Sequence, residues 1–432
     1  MLCKKLESLN YQGINMKSTT IKFKNAFFAS CPTGLEDLLK EEIMAQGAKE
    51  CLVTKGGVHF ESFPEIAIKV ILMSAIASRV YKKLYGFEVK IEKDIYHSAK
   101  EIKWKAIFDL EQTFRINVIQ GKSPEGTKRS KFENSMYLGQ LLKDAIADKF
   151  REDANERPYV DKVLPDVSFL MRVEPNDNPH SQKENVTILL DMSGVSISNR
   201  GYRVKPFTAP LRENLAHGLL KMTGYDGSQT LVDAMCGSGT FLTEAAMIKW
   251  KIPPCFIHLQ NHKEHEDELP WAFLKHTYYT KDKYLKENTE KFIEETWALV
   301  QKNMKEIKPG SIFGYDLDDG ALDIAAYNLK VAGILGGVEL DNKDATQIEK
   351  PNDVEGIFIV NPPYGERLGA DDNLERLYHD LGENLKKNFK NYKAYIFTGN
   401  LPLLKKISLR TSRKEILYNG NIESRLAEYL LY

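Results

Sequence analysis

The 432-residue chain has no long hydrophobic run. No stretch reaches the roughly 18–20 apolar residues that a membrane-spanning helix requires. The first twenty residues, MLCKKLESLNYQGINMKSTT, also lack the apolar segment of a secretory signal peptide. We therefore expect a cytoplasmic protein in which residues 1–23 form an N-terminal extension, with either Met1 or Met16 as the start of translation.

Cysteine and net charge are scarce as well. Five cysteines are scattered without a CxxC pair, namely Cys3, Cys31, Cys51, Cys236 and Cys255. This spacing favours reduced thiols and a cytoplasmic protein. Lys and Arg together number 60, as do Asp and Glu, so the formal net charge is zero. Any surface that binds nucleic acid must therefore be local.

Short strands and amphipathic helices alternate in the residues before Gly201. AFFASC and GGVHFES are strand-like, GLEDLLKEEIMAQGA has the apolar spacing of a helix, and PEIAIKVILMSAIASRVYKKLYG is predicted to be one longer helix. Further on, TFRINVIQ, VSFLMRVEP and NVTILLDMSG indicate strands, and YLGQLLKDAIADKFRE indicates a helix. The pattern predicts sheets with helices packed on them.

A different pattern begins after Gly201. QTLVDAMCGSGTFLTEAAMIKW is typical of a strand, a glycine turn and a helix, and GSIFGYDLDDGALDIAAYNLKVAG repeats that order, as does the segment around GIFIVNPPYGERLG. Repeated β-α units predict a parallel sheet covered by helices. Asn419-Gly420, between two apolar runs, predicts a closing hairpin. Residues 252–309 interrupt the repeat and are predicted to be a largely helical insertion.

The first β-α unit predicts a ligand site, because ligands in open α/β sheets bind beyond the carboxyl ends of the strands. Gly237 and Gly239 can adopt positive φ, and the helix predicted to begin near Thr240 offers unpaired N–H groups. Asp316 and Asp344 follow the next two strands. There they could accept ribose hydroxyls and an adenine amino group. Either acid could instead cap a helix, but together with the turn they favour a nucleoside site.

The glycine turn also narrows the choice of nucleoside. A dinucleotide fingerprint needs a third glycine, and Leu242 occupies that position. The GxxxxGK[ST] phosphate-binding loop is absent from the sequence too. S-adenosylmethionine (SAM) fits, because it has a ribose, an adenine and an amino-acid end but no phosphate.

The turn NPPY follows another predicted strand of this half. Methylation of an exocyclic base amine requires the nitrogen lone pair to be drawn out of the ring, and two hydrogen-bond acceptors around the amine achieve this. Asn361 Oδ1 can be one acceptor and the carbonyl of Pro362 the other. Pro362 and Pro363 fix the turn, and Tyr364 can stack on a flipped base. The alternative is a strand-ending turn without chemistry.

These motifs resemble those of class I SAM-dependent methyltransferases that carry the [ND]PP[YF] motif of amino-group methylases. More narrowly, the chain from about Lys24 onward resembles the THUMP-domain ribosomal RNA guanine-N2 methyltransferases of the YpsC/RlmL type, which genomes often label N6-adenine-specific DNA methylases. The segments that carry the resemblance are FFASCPTGLEDLLKEEI, SGVSISNRGYRV, FTAPLRENLAHGLL, DAMCGSGTFLTEAAMI, GYDLDDGALDIAAYNL, VNPPYGERLG and LYNGNIESRLAEY.

The resemblance implies an α/β fold in which a Rossmann-like class I methyltransferase domain (201–432) follows α+β ferredoxin-like (24–95) and THUMP (96–200) domains. It also implies SAM as cofactor and S-adenosylhomocysteine (SAH) as product. The residues implied to bind SAM are Thr208, Ala209, Pro210, Asp233, Cys236, Gly237, Gly239, Thr240, Asp316 and Asp344. The residues implied to form the catalytic turn are Asn361, Pro362, Pro363 and Tyr364.

The chain departs from this family in two places. The family usually has proline where this chain has Ala234, in the turn before the glycines. The bifunctional enterobacterial members carry a second methyltransferase domain beyond the position of Tyr432, where this chain ends. We therefore expect the guanine-N2 activity alone.

Two local groups of cations are candidates for contact with RNA. They are Lys122, Lys128, Arg129 and Lys131 in one segment, and Arg200, Arg203 and Lys205 in another. The first could equally be a solvated loop, whereas the second lies between the predicted RNA-binding and cofactor segments and could direct a strand toward the site. His258, His262 and His265 have helical spacing, but their polar surroundings favour a solvated face, and we predict no metal site.

We predict a SAM-dependent methyltransferase that acts on an exocyclic base amine of RNA, with guanine N2 of 23S ribosomal RNA as the favoured target. The base must be unpaired or flipped out of its stack. The expected partner is large-subunit ribosomal RNA or an assembly intermediate, with no membrane and no obligate protein partner. The alternatives are N6-adenine methylation of DNA, N5 methylation of a protein glutamine, and an RNA-binding ribosome-assembly factor without catalysis.

Overall fold

The computed structural model describes residues 20–122, 129–176, 178, 180–203, 211–265, 270–363 and 371–432. They fall into two compact units. The smaller unit comprises the described parts of 20–24, 82–191 and 276–278, and the larger unit those of 25–81, 192–275 and 279–432. None of the described helices is both long enough and apolar enough to cross a membrane.

The first part of the chain contains strands and helices in alternation. The strands are β1 (Ile21–Lys22), β2 (Ala26–Ser30), β3 (Glu50–Thr54), β4 (Gly57–Glu61), β5 (Arg79–Val89), β6 (Phe114–Gln120), β7 (Val167–Pro175) and β8 (Glu184–Asp191). The helices are α1 (Glu36–Ala45), α2 (Pro64–Met73), α3 (Lys93–Lys100) and α4 (Ser135–Ala154).

The second part repeats the β-α order that the sequence predicts. The strands are β9 (Thr230–Asp233), β10 (Ile312–Asp316), β11 (Glu339–Asn342), β12 (Gly356–Val360), β13 (Lys393–Thr398), β14 (Arg413–Asn419) and β15 (Ile422–Leu430). The helices are α5 (Glu213–Met222), α6 (Thr240–Lys249), α7 (Phe256–Glu264), α8 (Thr277–Thr280), α9 (Lys283–Met304), α10 (Asp319–Val331), α11 (Asp371–Asn388) and α12 (Leu401–Leu404).

The smaller unit is built on a sheet in the order β5-β8-β7-β6, with β1 antiparallel to β5. Strands β6 and β7 are parallel, whereas β7 and β8 are antiparallel. Helix α4 begins at the side-chain cap of Asn134 and ends at Asn155, whose φ of 60° lies in the left-handed region. Its apolar face packs into a core that includes the aromatic side chains of Trp104, Phe108, Phe114, Phe150 and Phe169.

The prediction of one long helix over residues 64–86 is wrong. Helix α2 ends at Met73, residues 74–78 form a loop, and β5 begins at Arg79. The carboxylate of Glu42 accepts hydrogen bonds from the Ser74 hydroxyl and from the N–H groups of Ala75 and Ile76. Because this acceptor comes from another helix, local periodicity gives no sign that the backbone turns away from helical geometry here.

The larger unit contains a second sheet in the order β11-β10-β9-β12-β13-β15-β14. The strands from β11 to β13 are parallel, and β15 is antiparallel to both of its neighbours. The predicted parallel sheet and its closing hairpin are confirmed, with Gly420 at a φ of 63°. The chain reverses its direction of strand addition at β9, since β10 and β11 lie on one side and β12 and β13 on the other. Ligands in such sheets bind at this switch point.

The described part of segment 252–309 is largely helical, as predicted, with α7 and α9 as its longest elements. Asp282 caps α9 by accepting a hydrogen bond from the N–H of Leu285 at 3.0 Å. In the same unit, β3, β4 and β2 form an antiparallel arrangement that carries α1 and α2.

Candidate active site

The turn between β9 and α6 has the backbone geometry that its glycines predict. Gly237 and Gly239 have φ values of 51° and 79°, both in the left-handed region. The N–H of Cys236 donates to the carbonyl of Tyr315 at 2.9 Å, which ties the turn to β10. Helix α6 begins at Thr240, as predicted, and Gly239 at its cap has no side chain with which to bind the first amides. Those amides remain available to a ligand.

The glycine turn lacks the third glycine of dinucleotide-binding folds, which lets the helix pack closely on the sheet. In this protein a glycine on the neighbouring strand β10 gives the helix that room. Leu242, at that position, packs against Gly314 of β10. A Cβ on Gly314 would lie 2.4 Å from Leu242 Cδ1. The close approach of helix to strand that a third glycine normally permits is therefore obtained here with a glycine on β10.

Asp316 and Asn361, at the ends of the strands to either side of β9, lie at the same level along the sheet. Asp233 is paired in register with Gly314 of β10 and with Ile359 of β12. Asp316 and Asn361 each follow their partner by two residues. Neighbouring strands are about 4.8 Å apart, and β9 lies between β10 and β12, so the backbones of Asp316 and Asn361 are roughly 10 Å apart.

The carboxylate of Asp316 holds the turn in place. Its Oδ2 accepts a hydrogen bond from the N–H of Gly237 at 2.8 Å, and its Oδ1 accepts one from the N–H of Asp318 at 3.1 Å. Helix α10 is capped by Asp318 rather than by Asp316, so the helix-cap alternative does not apply to Asp316. A carboxylate has about four acceptor positions, and two of them remain for hydroxyl groups.

Asp233 is a buried acid whose carboxylate lacks a hydrogen bond of standard geometry among the described residues. Its side chain belongs to a residue that is 1% exposed, and neither carboxylate oxygen accepts a hydrogen bond of standard geometry from the described residues. Burial, and then the nearby Asp316 charge, raise the pKa of Asp233 well above its ordinary value; the Met235 amide lowers it only in part. A group of this kind is costly to bury unless a cation or donor joins it.

Asn361 presents a second unsatisfied acceptor at the same edge. The residue is half-buried, but its Oδ1 is buried and has no hydrogen-bond partner among the described residues. Pro362 is buried and Pro363 is half-buried. The side-chain amide therefore has an unused acceptor in a turn whose backbone is restricted by two prolines.

Asp344 lies two residues beyond Asn342, which is paired with Asp316. Its Oδ1 accepts hydrogen bonds from the N–H and the hydroxyl of Thr346, at 2.9 and 2.7 Å. Its Oδ2 has one long contact, to Gln347 Nε2 at 3.5 Å. Asp344 thus stabilises its own turn and caps none of the described helices, so only Oδ2 is left for the adenine contact, which stays a prediction.

Two of the other predicted SAM-binding side chains face the protein interior. The Thr240 hydroxyl accepts a hydrogen bond from Arg203 Nη2 at 2.9 Å. The Cys236 side chain is buried, and burial raises the pKa of its thiol well above the ordinary value. Any contact of these residues with a cofactor would therefore come from their backbone atoms. The N–H of Ala234 donates to Ile359 O at 3.3 Å, a bond that the family's usual proline could not form.

The prediction that Arg200 contacts RNA is wrong. Its side chain is 0% exposed, and its donors are used by Glu244 and by the carbonyls of Ile197 and Ala75. The RNA-contact prediction for Arg203 is not supported either. Its side chain is 17% exposed, and it donates to Thr240 and to the carbonyl of Leu211.

The other predicted cations belong to the smaller unit. Lys122, Arg129 and Lys131 are exposed, and the first two pair across an isolated antiparallel bridge. Lys131 donates to the carbonyl of Gln182. Contact with RNA stays a prediction for all three. The remaining predicted residues lie outside the described residues: Lys128, Lys205, Thr208, Ala209, Pro210 and Tyr364.

The three histidines of the insertion do not assemble a metal site in the described part of the chain. Among the described residues, no group of three or more His, Cys, Asp or Glu side chains is arranged to hold a metal ion. His258 Nε2 lies 2.7 Å from the carbonyl of Asn199, which occupies one ring nitrogen.

Two residues near the site were missed by the sequence reasoning. Leu317 follows Asp316 directly and is 68% exposed; an apolar side chain directly after a strand-end acid could have been noticed as a surface for a base. Asn328 of α10 is 0% exposed and donates to the carbonyl of Ser238 in the glycine turn at 3.0 Å. Nothing in its local sequence signals that contact.

Comparison with known proteins decides the family. A family model described as "RMKL-like, methyltransferase domain" matches residues 200–428, which is just over half of the chain. The chain belongs to this methyltransferase family. Models of the RlmL ferredoxin-like domain and the THUMP domain match residues 26–81 and 89–177. The fold class predicted from the sequence is confirmed, while the domain boundaries stay predictions.

Curated relatives extend the match along most of the chain. The "Ribosomal RNA large subunit methyltransferase K/L" of Methylococcus capsulatus is 33% identical over 93% of this chain. The protein of the same description in Syntrophotalea carbinolica is 32% identical over 93% of it. The chain spans about half the length of these relatives, 50% and 53%.

Solved structures agree with the fold. A protein described as a possible methylase from Clostridium difficile 630 is 28% identical, with a TM-score of 0.75 over 94% of this chain and 98% of that one. The structure of SMU.472, determined with SAH bound, is 24% identical, with a TM-score of 0.74 over 96% and 99% of the two chains. The methyltransferases of this family depend on SAM, so the predicted cofactor class is confirmed at the level of the family.

Proposed function

We propose that this protein transfers a methyl group from SAM to an exocyclic base amine of RNA, with guanine N2 of large-subunit ribosomal RNA as the target. The observation that carries the proposal is the buried Asn361 Oδ1, which has no partner in the described part of the chain and follows the strand next to the glycine turn. A buried acceptor costs about 1–3 kcal/mol when it is left unpaired, so its retention indicates a donor that arrives with a ligand.

The residues around the glycine turn fit SAM by their chemistry. When bound, SAM supplies the methyl group from its sulfonium centre. Asp316 keeps two acceptor positions for ribose hydroxyls. Asp233 offers an unpaired carboxylate to a cationic amino group, and the free amides at the start of α6 suit a carboxylate. Leu317 offers an exposed apolar surface to the adenine.

Asn361 and Pro362 would orient the base. The Asn361 Oδ1 and the Pro362 carbonyl each accept a hydrogen bond from the amine, and this places the lone pair of the nitrogen along the transfer direction. No strong general base is needed. Orientation of this kind can supply roughly 7–11 kcal/mol of a barrier. The prolines hold the acceptors before the substrate arrives.

The choice of RNA as substrate class is supported by two findings. The smaller unit contains most of the residues matched by the THUMP model, and the curated relatives are described as methyltransferases of large-subunit ribosomal RNA. Lys122, Arg129 and Lys131 are exposed on that unit and could bind phosphates. A target base must leave its stack for the amine to reach the turn.

The test supplies the purified protein with isotopically labelled SAM and three acceptors. They are unmodified large-subunit ribosomal RNA, single-stranded DNA and a peptide that contains the target glutamine of a release factor. Mass spectrometry of the digested products identifies the labelled species. We expect labelled N2-methylguanosine from RNA, and Asn361→Ala to lower kcat on the order of 10²- to 10³-fold, the usual effect of removing one preorganised hydrogen-bonding group.

Asn352→Ala is the matched control. Asn352 has the same side chain, but its amide is already bonded within the protein, to the Thr230 hydroxyl at 3.2 Å, at the opposite end of β9. We expect it to keep its activity. Label found in adenine or in the peptide would contradict the proposed substrate class but would still support the proposed cofactor site. Absence of label with all three acceptors, despite binding of ribosomal RNA, would favour the assembly factor without catalysis.

A further inference from the structure

The glycine turn is supported from behind by one face of α10. Ala325 packs directly against Gly239, since a Cβ on that glycine would lie 3.2 Å from the Ala325 Cβ. One helical turn later, on the same face, the Nδ2 of Asn328 donates to the carbonyl of Ser238 at 3.0 Å. Helix α10 thus contacts two consecutive residues of the turn, one by packing and one by a hydrogen bond.

We infer that Asn328 is a positioning residue for cofactor binding: it holds the Ser238 carbonyl so that the N–H groups of the turn and of α6 point to the ligand. The inference rests on the proposed function and adds a residue to it. Asn328 touches neither cofactor nor substrate in this account. It acts through the backbone of the turn.

Apart from its hydrogen bond to the Ser238 carbonyl, a buried asparagine at position 328 is unfavourable for the stability of the helix. Asparagine is a poor residue for a helix interior, because its side chain competes for backbone hydrogen bonds. The residue is 0% exposed, and its Oδ1 has no hydrogen-bond partner among the described residues. A residue that breaks a local rule in this way is typical of residues kept for function.

The glycine turn needs such a restraint because glycine backbones are permissive. Gly237 and Gly239 flank Ser238, and both can adopt many other conformations at little cost. Asp316 restrains the Gly237 N–H, and Asn328 restrains the carbonyl on the next residue. Binding sites lose affinity when their groups move by a fraction of an ångström, so loss of either restraint should weaken binding before it unfolds the protein.

The chain offers a closely matched control in Asn214 of α5. This asparagine is also 0% exposed, its Nδ2 donates to the carbonyl of Ile76 at 3.0 Å and to the Ser78 hydroxyl at 2.9 Å, and its Oδ1 likewise lacks a partner in the described chain. It differs in what it holds, since Ile76 lies in the loop before β5 and not at the carboxyl ends of the second sheet. A purely structural role would make the two residues equivalent.

The experiment measures the dissociation constant for SAH by isothermal titration calorimetry in the wild type, Asn328→Leu and Asn214→Leu, together with the melting temperature of each. We expect Asn328→Leu to raise Kd on the order of 10- to 100-fold and Asn214→Leu to leave Kd within about twofold, with both melting temperatures lowered. Asn328→Asp, which keeps the shape and removes the donor, should also raise Kd and serves if the leucine variant does not fold.

Three results would overturn the inference that Asn328 positions the turn. An unchanged Kd in the folded Asn328 variants overturns the inference and leaves the proposed function intact. An equal rise in Kd for Asn214→Leu also overturns it, because the effect would then follow from lost stability alone. No binding of SAH by the wild type overturns the proposed function, and this inference with it.

Discussion

The larger unit buries acidic side chains in two regions that differ in how they are paired. In the first, between α5 and α6, Glu244 contacts Arg200 at 3.4 Å and His217 Nδ1 at 2.9 Å. In the second, at the carboxyl ends of β9 and β10, Asp233 has no hydrogen-bond partner in the described structure. Both acids are almost completely inaccessible to solvent.

The pKa values of these acids move in opposite directions. Burial alone would raise the pKa of Glu244, but the charge of Arg200 and the contact with His217 outweigh it, and the pKa is held below its ordinary value. At Asp233 burial acts with the Asp316 charge, and the pKa rises. A buried charge with partners contributes to the fold, whereas one without partners is suited to bind something. The difference separates the structural region from the ligand site.

The largest effect is expected from breaking the paired region. Arg200→Met leaves Glu244 without its main counter-charge, and removal of one partner of a buried ion pair costs about 3–5 kcal/mol. We expect a marked fall in the melting temperature, measured by calorimetry. Arg376→Met, which removes a pair with Asp380 on the exposed face of α11, should change the melting temperature little. Equal effects for the two variants would contradict the comparison.

Replacing the buried acid Asp233 should raise the stability of the protein instead of lowering it. In Asp233→Asn the ligand-free protein should become more stable than the wild type as the pH rises above the ordinary pKa of aspartic acid. The reason is that the wild-type folded state binds a proton that the unfolded state has already lost, so its stability falls by up to about 1.4 kcal/mol per pH unit across this window. The free energy of unfolding of both proteins, measured with denaturant from about pH 4 to about pH 8, would show this difference.

The same substitution should weaken cofactor binding, because the amide cannot pair with a cationic amino group. Calorimetric titration with SAH would show this. Greater stability with unchanged affinity would mean that Asp233 is not part of the ligand site. Lower stability at neutral pH would mean that a partner of Asp233 exists in solution.

The smallest effect is expected at the surface cations, which are exposed to solvent, unlike the buried acids compared above. Arg129→Ala and Lys131→Ala should each weaken binding of large-subunit ribosomal RNA and reduce the slope of log K against log salt by about 1. The measurement is a set of binding isotherms at several salt concentrations. Lys283→Ala, an equally exposed cation of the larger unit, is the control and should leave the slope unchanged.

Local sequence pattern was sufficient where the determining interactions are local. The strand-turn-helix unit at β9, the positive φ of Gly237 and Gly239 and the hairpin at Gly420 follow from residues that lie beside one another. The helix predicted over 64–86 was wrong because the Glu42 carboxylate, 32 residues before Ser74, accepts hydrogen bonds from the Ser74 hydroxyl and from the N–H groups of Ala75 and Ile76. Arg200 was assigned to RNA for the same reason, since its partner Glu244 lies on a helix that sequence alone does not bring near.

Conformational preference and periodicity act over a few residues, so the sequence was enough to predict the order of the strands along the chain, the glycine turn, the acid after each of two strands and the proline turn. Which charges are paired and which are left open depends on the folded chain. The tertiary structure made Arg200 a buried partner of Glu244, placed Gly314 beneath Leu242 and brought Asn328 against Ser238. The physical reason is that pairing and close packing depend on distances in space between residues far apart in the chain, and strand order and register set those distances.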